Sequence, residues 1–171
     1  MVKTKDLVIA PLCAAMLIGS QLILSGVAGV EMVSAMLLCF AFSLGALRGA
    51  TIATLFSLVR CFVFGFHINV LILYLIYFNL FALFFGWLGK RTSRTTSPKM
   101  TILVSIFAVG FTIGFTFLDV GITAVMYGFG ASALGVYLTA SLYTLALHAA
   151  SVLVTSLAFF VPLVRVLEKI K

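Results

Sequence analysis

Gly89-Lys90-Arg91-Thr92-Ser93-Arg94-Thr95-Thr96-Ser97-Pro98-Lys99 is the one distinctly hydrophilic stretch in a chain that is otherwise almost continuously apolar. Outward from it, the next inner anchor toward the N-terminus is Arg48, then Lys5 and Lys3. Toward the C-terminus the next cations are Arg165, Lys169 and Lys171. Basic loops at every second crossing, separated by apolar intervals, are the positive-inside pattern of a polytopic membrane protein. If these ten cations share the cytoplasmic side, each interval holds a there-and-back pair of helices. The expectation is therefore an all-α integral membrane protein, six transmembrane helices in one bundle with both termini cytoplasmic. The eleventh cation, Arg60, falls inside an apolar interval.

Composition points the same way. With 64% apolar and 9% charged residues, the 171-residue chain lacks the polar surface a water-soluble domain needs. Six helices of about 20 residues occupy roughly 120 positions, which leaves short loops and a single membrane domain over residues 1–171. The net charge of +7 would suggest nucleic acid in a soluble protein. Here the clustering makes it topological, with anionic headgroups as neighbours and no nucleic-acid partner. Cys13, Cys39 and Cys61 each lie in an apolar segment and read as free thiols between helices. No metal-ligand spacing is present and no cofactor is implied.

The spans are expected at about 7–24, 31–47, 49–65, 70–88, 98–118 and 136–161. Arg48, between Gly45 and Gly49, marks a tight inner turn. Ser97 should cap the fifth helix, with Pro98 at its first position. Two flexible outer loops are expected, Ser25 to Gly29 and Asp119 to Ser132, the second rich in glycine and carrying Tyr127. Pro162 should kink or stop the sixth helix.

A helical rise of 1.5 Å per residue converts distance from the basic anchors into depth. Glu31 and His148 then lie roughly 25 Å above the inner face, Tyr74 about 24 Å, Arg60 about 18 Å and Asn79 about 16 Å. Asp119 reaches the outer surface at about 30 Å, and His67 and Asn69 sit in the turn before span four. Polar groups thus gather in the outer half of the membrane, as expected for a cavity open to the outside. An arginine at mid-depth costs about 2.5–3.5 kcal/mol on insertion scales and must face protein or water. Arg60 either pairs with Glu31 or meets a ligand, and the two are compatible. The candidate binding set is Glu31, Arg60, His67, Asn69, Tyr74, Asn79, Asp119, Tyr127 and His148, with no catalytic residue among them. For the acids a helix-end role, for His148 a backbone hydrogen bond, and for the tyrosines an aromatic belt are the competing readings. Small residues four apart (Ala10 and Ala14, Ala15 and Gly19, Gly110 and Gly114) form ridges for close helix approach, either inside the bundle or toward a partner.

Six spans, inner basic ends, the Ala10–Ala14 ridge and outer-half polarity together resemble the substrate-binding S components of energy-coupling factor (ECF) transporters. The entry Gly29-Val30-Glu31-Met32-Val33-Ser34 is similar to the glycine- or asparagine-x-Glu-x-Val-Ser opening of vitamin-type members. The ending Pro162-Leu163-Val164-Arg165-Val166-Leu167 looks like their closing proline-leucine segment. The resemblance implies capture of a vitamin or related micronutrient on the outer face of a bacterial plasma membrane. It also implies docking through Ala10 and Ala14 onto a membrane T component that works with two cytoplasmic ATPases. No P-loop pattern occurs in this chain, so ATP hydrolysis would belong to those partners. Leu145 stands where some relatives place the acid of an Asp-x-x-His pattern, which leaves the micronutrient open, from cobalamin-like to queuosine-like. The alternative of similar size and span count is a rod-shape-determining-type membrane scaffold without transport activity, for which charges converging at one depth have no use. An intramembrane enzyme lacks both a framed nucleophile and metal ligands.

Overall fold

Six helices follow one another in a computed structural model that describes residues 4–27 and 29–170. They are α1 (Thr4–Leu24), α2 (Val33–Leu44), α3 (Ala46–Phe64), α4 (Ile68–Arg91), α5 (Pro98–Tyr127) and α6 (Ala131–Ile170). Lys3, Ala28 and Lys171 lie outside the described residues. Among the described residues there is no strand. Four helices (α3 to α6) are long and apolar enough to cross a membrane, while α1 and α2 offer shorter apolar segments. The chain is an all-α protein of membrane character.

A helix that is apolar on every face belongs in the middle of a bundle. α2 meets that rule: all 12 of its residues are buried, and it touches each of the other five helices. The remaining neighbours pack as α1 on α3, α3 on α4, α4 on α5 and α5 on α6. α2 and α3 are joined by Gly45 alone, whose φ of 97° a side chain would strain. α4 crosses this corner in direct backbone contact. A Cβ on Gly86 would fall on the Ala46 backbone, and one on Gly89 on the Phe42 carbonyl. Aromatic rings fill the seam between α4 and α5, with Phe81 and Phe85 edge-on or tilted against Phe111 at 5.4 and 5.8 Å. Trp87 lies exposed under the Arg91 guanidinium at 5.5 Å. Cys13, Cys39 and Cys61 are buried free thiols.

Several boundaries differ from the sequence expectation. Ser97 does cap α5, its hydroxyl accepting from the Met100 amide at 3.2 Å, and Pro98 takes the first helical position. But α5 runs on to Tyr127, so the outer loop expected over Asp119–Ser132 contracts to Gly128–Gly130. Glycine weakens a helix by only about 1 kcal/mol, and packing against α6 outweighs Gly121. α6 likewise begins at Ala131 and passes through Pro162 without ending. Proline inside an apolar helix is tolerated where neighbouring helices re-satisfy the freed groups. Asp119 and Tyr137 bind this long hairpin together, the phenol donating to the carboxylate at 2.8 Å. Ala10 and Ala14, expected as an outward docking ridge, are buried in the core at 8% and 3% exposure. Of the two small pairs on α1, only Ala15 and Gly19 reach the surface, Gly19 partly.

Candidate functional site

α2 begins at Val33, so Val30–Met32 enters the bundle without regular structure. Irregular backbone at such depth is tolerated only where protein buries it or a cavity uses it. Here it does the second. A cavity of about 350 Å³ opens at the N-terminal end of α2, and every helix contributes to its wall. α1 brings Gln21 and Leu24; the entry segment brings Gly29, Glu31 and Met32; α3 brings Arg60 and Phe64. α4 presents Tyr74, Tyr77 and Phe78, α5 adds Thr112 and Phe115, and α6 adds His148.

The entry segment is fixed by α6. The Ser151 hydroxyl accepts the Glu31 amide at 2.7 Å and also reaches the Glu31 carbonyl at 3.3 Å. Thr155, one turn further on, reaches the same carbonyl at 3.3 Å while bonding back to Ser151 at 2.7 Å. Gly29 lies against Leu147 with φ at 80°, a backbone conformation that glycine adopts freely. With its peptide held on both sides, Glu31 projects its carboxylate at the start of α2, where the helix dipole favours negative charge. Oε1 accepts the Ser34 hydroxyl at 2.5 Å.

Arg60 faces the same space. Its guanidinium stands 4.4 Å from the centroid of the Tyr74 ring and 5.1 Å from that of Phe64, within cation–π reach of both. Nε is buried and has no acceptor, and neither has Gln21 a donor at its buried Oε1. No ion pair joins Arg60 to Glu31 among the described residues, so the pairing reading gives way to two separate charges on one wall. Tyr74 packs on Phe78 at 4.9 Å and Phe115 at 6.0 Å, which sets the aromatic lining beside the guanidinium.

Four of the expected residues therefore come together: Glu31, Arg60, Tyr74 and His148. Five do not. Asn79 turns away from the cavity, its amide oxygen accepting from Thr54 at 3.0 Å and its amide nitrogen donating to the Leu75 carbonyl at 2.8 Å. Asp119 is engaged by Tyr137 in the α5–α6 hairpin. Tyr127 is exposed and stacked on Phe129 at 6.2 Å. His67 is exposed before the first turn of α4, and Asn69 is half-buried away from the cavity wall. The Asp119–Ser132 stretch, expected as a flexible outer loop, contributes nothing to the wall of this cavity, because most of it is helix.

Sequence reading passed over Gln21, Thr112, Ser151 and Thr155. Gln21 was legible as the one carboxamide in span one. The Ser151/Thr155 pair was legible as two hydroxyls one turn apart on an apolar helix, although such groups more often bond only to their own backbone. A comparison with protein-family models, with curated proteins and with solved structures gives no match to this chain.

Proposed function

We propose that this chain is the membrane substrate-capture subunit of an ATP-driven importer of the ECF type. In this reading it crosses the bacterial plasma membrane six times with both ends inside. It binds a vitamin or related micronutrient from the outer side and passes it inward with a T component and two cytoplasmic ATPases. The observation that carries the reading is the cavity at the head of α2, where Glu31, Arg60 and His148 from three parts of the chain face one space. Its 350 Å³ is within the range of small-molecule sites, and aromatic rings stand beside convergent polar groups on its wall. A scaffold has no need of unpaired charge around a cavity, because each such charge weakens the bundle.

The test is a ligand screen by thermal shift on the purified protein. A true ligand at a hundredfold excess over Kd adds about 2.7 kcal/mol of stability, which a melting curve resolves. A well-folded protein that no micronutrient stabilises, and that co-purifies with cell-wall synthesis proteins instead of a T component, would replace capture with the scaffold reading.

A further inference from the structure

We infer that the cavity selects a small zwitterion, a flat molecule of one or two rings with one anionic and one cationic group. This rests on the capture reading and narrows it. The two charges on the wall form no ion pair with each other among the described residues. Arg60 lies against Tyr74 and Phe64 with its Nε buried and lacking an acceptor, and Glu31 lines the same cavity with one oxygen engaged by Ser34. Both groups thereby face the cavity without pairing to each other. A charge drawn out of water without a partner is costly, and the cost falls when an opposite charge arrives with hydrogen bonds.

Each simpler ligand class leaves part of that cost in place. A monoanion satisfies Arg60 and sets its own charge against Glu31. A monocation satisfies Glu31 and leaves Arg60 unmatched. A neutral ring meets neither charge. A molecule carrying a carboxylate or similar anion for Arg60 and an N–H-bearing cation for Glu31 meets both, while Gln21 Oε1 accepts one further donor. The rings of Tyr74, Tyr77 and Phe115 favour a planar body between the two charged ends. Size sets the upper limit. A space of 350 Å³ equals roughly a dozen water molecules, which corresponds to on the order of ten to twenty non-hydrogen atoms. A corrinoid macrocycle is several times too large.

Native mass spectrometry on the full chain in detergent tests this with an equimolar mixture of one- and two-ring compounds. The mixture holds matched sets that share a ring and differ only in charge, such as tryptophan, tryptamine and indole-3-propanoic acid, together with the B vitamins including cyanocobalamin. The retained compound should be zwitterionic, with at least about tenfold preference over singly charged analogues of the same ring. Glu31→Gln should erase the preference against the anion, and Arg60→Gln the preference against the cation. If a single variant fails to fold, the Glu31→Gln/Arg60→Gln double variant should fold and favour the neutral analogue. Retention of a singly charged, neutral or corrinoid compound by the parent protein overturns the zwitterion inference and leaves capture standing. Retention of nothing by folded protein counts against both.

Discussion

Ser151 decides where Glu31 stands, because one hydroxyl engages both the amide and the carbonyl of that residue. Ser151→Ala should cost about 1 kcal/mol of stability, the net worth of an ordinary hydrogen bond, yet weaken ligand binding by more than this loss. Asn79→Ala removes bonds of similar worth, one to Thr54 of α3 and one within α4, and should leave affinity unchanged. Paired melting curves and ligand titrations of the two variants check this, and equal losses of affinity would show that Ser151 is merely structural. The contrast also explains which site residues the sequence could disclose. Depth follows from residue counting, and by depth Asn79 belongs beside Arg60. Facing does not follow from depth. At about 100° per residue, Tyr77 and Phe78 return to within about 60° of Tyr74, whereas Asn79 lies roughly 140° away and meets Thr54 instead. Asp119 was misplaced for a different reason, since no local pattern reveals that Tyr137 would claim it.

At the scale of elements, the closeness of α4 to the α2–α3 corner depends on two missing side chains. Gly86→Ala places a methyl group on the Ala46 backbone, which no side-chain rotation relieves. The expected cost is about 1–3 kcal/mol, read as a lower melting temperature, and Gly110→Ala on the open face of α5 serves as the neutral control. A Gly86→Ala protein as stable as the parent would mean that the corner is looser than described. The same reasoning reverses the expectation for α1. Ala14 is buried at 3%, so Ala14→Trp should unfold or strongly destabilise the protein, while Ala15→Trp on the exposed side should fold normally. Under the proposed function, loss of T-component co-purification in Ala15→Trp would place docking on that outward side. Periodicity could mark both small-residue pairs of α1 as ridges but could not say which one turned inward, because in an apolar helix every face looks alike. Helix ends were legible where a cap marked them, as at Ser97 and Pro98. They were not legible at Gly121 or Pro162, where packing against neighbouring helices overrides local propensity.

At the scale of the molecule, helix length and membrane thickness have to be reconciled. α5 and α6 are 30 and 40 residues long, roughly 45 and 60 Å, against a hydrocarbon core of about 30 Å. In a membrane, tilt or projection beyond the core must absorb the excess, and the Asp119–Tyr137 bond ties the two helices together far from their basic ends at Lys99 and Arg165. α2 has the opposite problem. Its 12 residues rise only about 18 Å, and the non-helical residues Val30–Met32 add at most roughly 10 Å. The helix crosses only if its entry segment counts as part of the span, and that segment is the part that builds the cavity. Single cysteines resolve this on a background in which Cys13, Cys39 and Cys61 are replaced by alanine. The exposed positions Gly26, Thr95 and Gly130 lie respectively between α1 and α2, between α4 and α5, and between α5 and α6. On intact cells a membrane-impermeant maleimide should label Gly26→Cys and Gly130→Cys, and should reach Thr95→Cys only after permeabilisation. Gly26 and Thr95 are separated by α2, α3 and α4, so their appearance on the same side would mean that α2 does not cross. Labelling of Thr95 alone on intact cells would turn the whole bundle over. The cavity would then open toward the cytoplasm, and capture from outside would be untenable.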